Sequence, residues 1–241
     1  MSGSPVFAAI TTVTFDAGGT LLRPYPSVGV VYREAARCHG GVLDAAAVES
    51  AFRRAFARVS KSSLLLDPEE RERDFWRQVV AAALEEAAAT LPDFDAFFAD
   101  VWERFARGDC WRVLPGVATT LQTLRERGYR LAVLSNWDRR LHRVLAETGL
   151  RPWFDQIVIS SEVGAEKPDV QIFRAAERAL EAAPGQCLHI GDSRRHDVAG
   201  ARGAGWKALL VGSEHTAAEG EDGIAELTDA LPFLPGPASQ S

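Results

Sequence analysis

The stretch QCLHIGDSRRHDVAGARGAGWKALLVG, residues 186–212, decides the fold. Its first third, QCLHIGD, is an apolar run that ends in polar residues, the pattern of a buried strand. DVAGARGAG follows as a short helix rich in small residues, and KALLVG is a second buried strand. Strand, helix and strand in close succession form the unit from which parallel sheets are built. Read toward the N-terminus, the alternation continues. PDVQIFRAAERAL (168–180) is helical, FDQIVIS (154–160) a strand, RRLHRVLAETGL (139–150) helical, YRLAVLSN (129–136) a strand and ATTLQTLRERG (118–128) a helix with a glycine stop. The β-branched segment Ala9–Phe15 supplies one more strand, ending at Asp16. The expected fold is α/β, a doubly wound parallel-sheet (Rossmann-like) core.

One block breaks the alternation. From Gly29 to about Arg107 the chain holds four segments, VVYREAARC, AAAVESAFRRAFARV, ERERDFWRQVVAAALEEAAA and FDAFFADVWERFA, whose apolar residues recur three and four apart. This reads as an all-helical domain inserted after the first strand, its Phe and Trp residues forming a small bundle core. The expected division is a core of 1–24 and 112–234, a helical cap of 25–111 and a small, polar, disordered tail of 235–241.

Composition narrows the function. The 241 residues carry a formal net charge of −6, so no general attraction draws the chain to nucleic acid or anionic lipid. No segment is apolar for the roughly 18 residues that a membrane helix requires. The three cysteines, Cys38, Cys110 and Cys187, are widely spaced and imply neither a disulfide framework nor a zinc knuckle. The N-terminal stretch MSGSPVFAAITTV lacks the basic and long apolar regions of a signal peptide, so a cytoplasmic location is expected.

In open parallel sheets, ligands bind beyond the carboxyl ends of the strands. The residues just past each strand are therefore informative: Asp16, then Ser135 and Asn136, then Ser160 and Ser161, then Asp192 with Asp197 five residues on. Lys167, one of only three lysines, lies in EKPD between the third strand and its helix. Singly, each reads as a turn, a cap or a surface charge. Jointly they bring carboxylates, a hydroxyl and an ammonium to one rim, a set suited to a divalent cation and a phosphate. Asp16, Asp192 and Asp197 offer the hard oxygens that Mg²⁺ prefers. Ser135, Asn136 and Lys167 offer donors and charge for phosphate oxygens.

The ordered motifs DAGGTL, LSN, EKPD and GDSRRHD resemble those of the haloacid dehalogenase superfamily of hydrolases, and the helical block resembles its helical cap. The resemblance covers roughly residues 10–212. It implies a Mg²⁺-dependent hydrolase acting on a small phosphorylated molecule through an aspartyl-phosphate intermediate. Asp16 would be the nucleophile. Ser135 would hydrogen-bond the transferring group, Lys167 would neutralise it, and Gly19, Thr20 and Asn136 would complete the substrate contacts. Mg²⁺ would be held by Asp16, Asp192, the Gly18 carbonyl and Asp197, the last ligating or supporting. Cap opening and closing over the site is a further implication.

The sequence departs from the superfamily pattern at Gly18, where its phosphatases usually carry a second aspartate. That group's acid–base assistance is typically worth about 10²- to 10⁴-fold. Asp138, Glu166 or His196 would be substitutes, each with an ordinary reading as a cap or surface charge. Haloacid dehalogenases lack the second aspartate but also lack the acidic GDxxxxD pattern retained here. Phosphonoacetaldehyde hydrolases need a cap lysine, and Lys61 is the one available. A phosphate- or partner-binding fold without turnover is the alternative of a different class. Arg33, Arg37 and Arg53 read either as cleft residues or as a solvated helix face.

Overall fold

A computed structural model describes residues 7, 9–61, 67–212 and 223–237. Six strands form one parallel sheet: β1 (Thr12–Phe15), β4 (Arg130–Ser135), β5 (Gln156–Ile159), β6 (Cys187–Gly191), β7 (Lys207–Val211) and β8 (Gly223–Ile224). Their spatial order is β5-β4-β1-β6-β7-β8. The chain thus starts in the middle, builds outward on one side through β4 and β5, then returns to build the other side from β6. That reversal, between β1 and β6, is the topological switch point at which such sheets open a ligand crevice. Every residue of β1 and β6 is buried, as expected for strands covered on both faces. Helix α8 (Val170–Leu180) covers one face, packing Ile172, Phe173, Ala176 and Leu180 against Ala132, Leu134, Cys187 and Leu210.

By its internal contacts the chain divides into two compact units. The sheet unit comprises Met1–Arg23, Val113–Trp137 and Gly149–Ser241. Besides α8 it carries α5 (Val117–Glu126), α7 (Ser160–Val163) and α9 (Gly200–Gly203). The helical unit comprises Pro24–Arg112 and Asp138–Thr148. Short strands β2 (Leu22–Pro24) and β3 (Trp111–Val113) lie where the long insertion leaves and rejoins the sheet unit. Helix α6 (Arg140–Glu147), which the sequence pattern assigns to the core, groups with the helical unit. The sequence also carries no signal of β8, only two residues long.

The helical unit contains α1 (Val28–Cys38), α2 (Ala45–Arg58), α3 (Pro68–Glu86) and α4 (Phe94–Arg104). Each begins at a side-chain cap: Ser27, Asp44, Asp67 and Asp93 accept hydrogen bonds from first-turn N–H groups. These caps satisfy donors that the helix cannot, typically worth about 1 kcal/mol each. The aromatic residues form the unit's core, with Tyr32 meeting Phe52, Phe97 and Phe105 edge-on. α6 joins through Glu147, which accepts the Gly108 N–H at 2.7 Å, and through Arg140, stacked 3.3 Å over the Trp102 ring. Of the expected tail, residues 238–241 lie outside the described residues. Before them the Gly236 N–H donates to the Tyr129 hydroxyl at 3.2 Å.

Candidate active site

The site lies within the sheet unit, at the carboxyl ends of β1, β4 and β6. The Asp16 N–H donates to Ile190 O of β6 at 2.9 Å, so the backbone of this residue is held as one more rung of the sheet. Its side chain, 11% exposed, receives two donors on one oxygen. Ser135 Oγ donates to Asp16 Oδ1 at 2.9 Å and Lys167 Nζ donates to the same atom at 2.7 Å.

Lys167 is 2% exposed, and each of its three ammonium protons has a short acceptor. They are Asp16 Oδ1 at 2.7 Å, Asp197 Oδ1 at 2.6 Å and Leu134 O at 2.8 Å. Burial alone would lower the affinity of this lysine for its proton. The two carboxylates outweigh burial and hold its pKa above the ordinary lysine value. The backbone of Lys167 is clamped in turn. Asn136 Oδ1 accepts its N–H at 2.7 Å and Asn136 Nδ2 donates to its carbonyl at 2.9 Å. Two residues on, Asp169 caps α8 by accepting the Gln171 N–H. The side-chain amide of Asn136 therefore positions the lysine.

Asp197 is 2% exposed and both its oxygens are engaged. Oδ1 meets Lys167 Nζ and His189 Nε2, the latter at 3.0 Å, and Oδ2 accepts the Ser193 N–H at 2.8 Å. Burial opposes ionisation here, but Lys167 and His189 overcome it and hold the carboxyl well below the usual range. Asp192 differs. It keeps a solvent-facing surface, and partial burial with repulsion from Asp16 and Asp197 pushes it up to about 7. One carboxylate oxygen from each of Asp16, Asp192 and Asp197 lies within 4.8 Å of the others. Crowded hard oxygens, one of them reluctant to ionise alone, fit a small divalent cation.

The two glycines after Asp16 have unequal roles. Gly19 has φ +84°, and a Cβ there would lie 2.2 Å from Asp192 Oδ2, so only glycine fits. A Cβ at Gly18 would lie 3.6 Å from Trp137 Cζ3, an ordinary contact. Thr20 is buried and its hydroxyl has no partner among the described residues.

The candidates for a replacement acid fare differently. Asp138 is fully buried, its two oxygens accepting from Arg140 Nε and Nη2, both at 2.7 Å. His196 is exposed, its N–H donating to Ser193 Oγ and its pKa lowered by burial of the ring edge. In the helical unit Lys61 donates to the buried Glu72 at 2.5 Å. One residue of the site, His189, is not among the sequence candidates. Completely buried, it bridges Asp197 and Thr14, with Nδ1 2.8 Å from the Thr14 hydroxyl. Burial, then the neighbouring Lys167, lowers its pKa and keeps the ring neutral. Thr14 and His189 are register partners on β1 and β6. Two polar residues inside otherwise apolar strand runs are the signal that could have found them.

The profile of the family described as a haloacid dehalogenase-like hydrolase matches residues 10–205. The chain is 37% identical over 210 residues to haloacid dehalogenase-like hydrolase domain-containing protein 3 of Mus musculus, covering 84% of this chain and 82% of the relative. It is 39% identical over 114 residues to a glyceraldehyde 3-phosphate phosphatase of Methanothermobacter thermautotrophicus, covering 45% and 48% of the two chains. Among solved structures, a haloacid dehalogenase-type (HAD) phosphatase from Thermococcus onnurineus matches with a TM-score of 0.67. It is 23% identical, and the match covers 95% of this chain and 99% of that one.

Proposed function

The chain belongs to the haloacid dehalogenase-like hydrolase family, and from that premise we propose a Mg²⁺-dependent phosphatase of small phosphorylated molecules with Asp16 as nucleophile. The observation that carries this reading is the pair of donors on one oxygen of Asp16. Ser135 and Lys167 both bond Oδ1, which fixes the carboxylate and leaves Oδ2 to attack phosphorus. The phosphatase named among the relatives supports the same substrate class.

Asp16, Asp192 and the Gly18 carbonyl would hold the cation. When bound, Mg²⁺ supplies positive charge beside the phosphate oxygens. Asp197, with both oxygens taken by protein donors, anchors Lys167 from behind. The Thr20 hydroxyl and the Asn136 N–H would bind the phosphate oxygens, and the Ser135 hydroxyl would turn from Asp16 to join them when substrate enters. Lys167 balances the charge of Asp16 and the phosphate, while the Gly19 N–H is held by Leu22 O. Asp16 Oδ2 bonds to phosphorus as the leaving oxygen departs, and water then hydrolyses the aspartyl phosphate. No side chain at position 18 assists either proton transfer.

Purified protein with Mg²⁺ is expected to release phosphate from p-nitrophenyl phosphate. EDTA or Asp16→Asn should lower that release by at least about 10²-fold. Equal rates for Asp16→Asn and the native protein would sink the reading. Chloride release from chloroacetate without Mg²⁺ would replace it with dehalogenation.

A further inference from the structure

His189 is fully buried beside the candidate site, and the function proposed above gives it no part. Two strands and a helix set its place. Thr14 and His189 are register partners on β1 and β6, and the Phe173 ring of α8 packs edge-on against the imidazole, with centroids 6.0 Å apart. Nδ1 lies 2.8 Å from Thr14 Oγ1, and Nε2 lies 3.0 Å from Asp197 Oδ1. An ionised carboxylate can only accept hydrogen bonds. The proton of the neutral ring therefore sits on Nε2, and Nδ1 accepts from the Thr14 hydroxyl.

The consequence falls on Lys167. Its ammonium is shared between Asp16 Oδ1 at 2.7 Å and Asp197 Oδ1 at 2.6 Å. Each of these oxygens carries one further, uncharged side-chain donor: Ser135 Oγ on Asp16 at 2.9 Å and His189 Nε2 on Asp197 at 3.0 Å. The two carboxylates compete for one buried cation, and a donor on either of them weakens its pull. In the resting site both oxygens are supplied alike. When a substrate takes the Ser135 hydroxyl, Asp16 Oδ1 loses its uncharged donor while Asp197 Oδ1 keeps His189. The ammonium is then drawn toward Asp16 and the phosphate, where the charge of the reaction develops.

We propose that His189, held in its tautomer by Thr14, is a positioning residue whose hydrogen bond to Asp197 keeps the Lys167 ammonium available to Asp16 during the reaction. Without that bond Asp197 Oδ1 draws the ammonium to itself, and Asp16 reacts with less positive charge beside it. Both residues act through Asp197, so their loss falls on turnover and not on substrate affinity. This inference rests on the phosphatase reading and deepens it.

The test measures phosphate release from p-nitrophenyl phosphate with Mg²⁺ by native protein and variants. His189→Leu should lower kcat by about 10-fold and leave KM within about 2-fold, the mark of an interaction that counts in the transition state. His189→Gln, which keeps a donor near the Nε2 position, should recover most of that loss. Thr14→Val should lower kcat by about 3-fold. Added to His189→Leu it should cost nothing further, because Thr14 acts through the ring. A native kcat in His189→Leu, or His189→Gln as slow as His189→Leu, would overturn this inference while the phosphatase reading stands. Nitrogen NMR of the native imidazole in EDTA gives a readout free of both folding defects and turnover. Nε2 protonated and Nδ1 bare is expected, and the reverse tautomer would overturn the inference even if His189→Leu does not fold. No phosphate release by the native protein would sink the phosphatase reading itself.

Discussion

Asp192 shows how a single carboxyl reports on an ion. In a folded chain without metal its pKa is about 7, against about 3.9 for an unfolded aspartate. Between those values the folded state holds a proton that the unfolded state has released, so this group lowers stability as pH rises through the window. The cost is fully present above about pH 7 and absent below about pH 4. Asp192→Asn should therefore stabilise the metal-free protein at pH 8. After solvent screening the gain is about 1 kcal/mol, or 2–4 °C in Tm, and it should vanish near pH 4. Saturating Mg²⁺ should reverse the order, because only the native carboxylate gains from the cation. Calorimetry with EDTA and with Mg²⁺ checks both halves. A variant no more stable than native at pH 8 in EDTA would show that the carboxylates do not crowd.

At the scale of elements, the loop leaving β1 divides its work between adjacent glycines. Gly19→Ala would force a side chain into a left-handed backbone and onto Asp192 Oδ2, and should cost about 1–3 kcal/mol together with activity. Gly18→Ala meets only the Trp137 ring edge and should leave Tm nearly unchanged. Urea titration of the two variants measures the contrast, and equal losses would contradict it. The strand ends that carry the candidate site were legible because strand residues and rim residues differ in kind. A buried run such as RLAVLS must end before polar groups can be displayed. The pairings inside the site were not legible. Sequence placed Asn136 beside a phosphate but could not show its amide clamping the Lys167 backbone 31 residues away. Nor could it show His189 behind Asp197, since that contact depends on how strands distant in sequence align.

For the whole molecule, the sequence separated helical from alternating segments correctly, yet α6 looked like any crossover helix. Its buried face, Leu141, Val144 and Leu145, does not say which unit it serves. The contacts answer that: Asp138–Thr148 counts with Pro24–Arg112. A chain with residues 24–112 replaced by a short linker would strip α6 of its Glu147–Gly108 and Arg140–Trp102 partners. Such a chain should show a broadened thermal transition and bind a hydrophobic dye, and a sharp, dye-free transition would refute this. The same partition bears on how the family can diversify. A helical unit drawn from one stretch of chain could be traded between relatives as a cassette. Here the trade must carry a second segment that begins immediately after Trp137, so recombination that renews the helical unit also cuts next to the loop of Ser135.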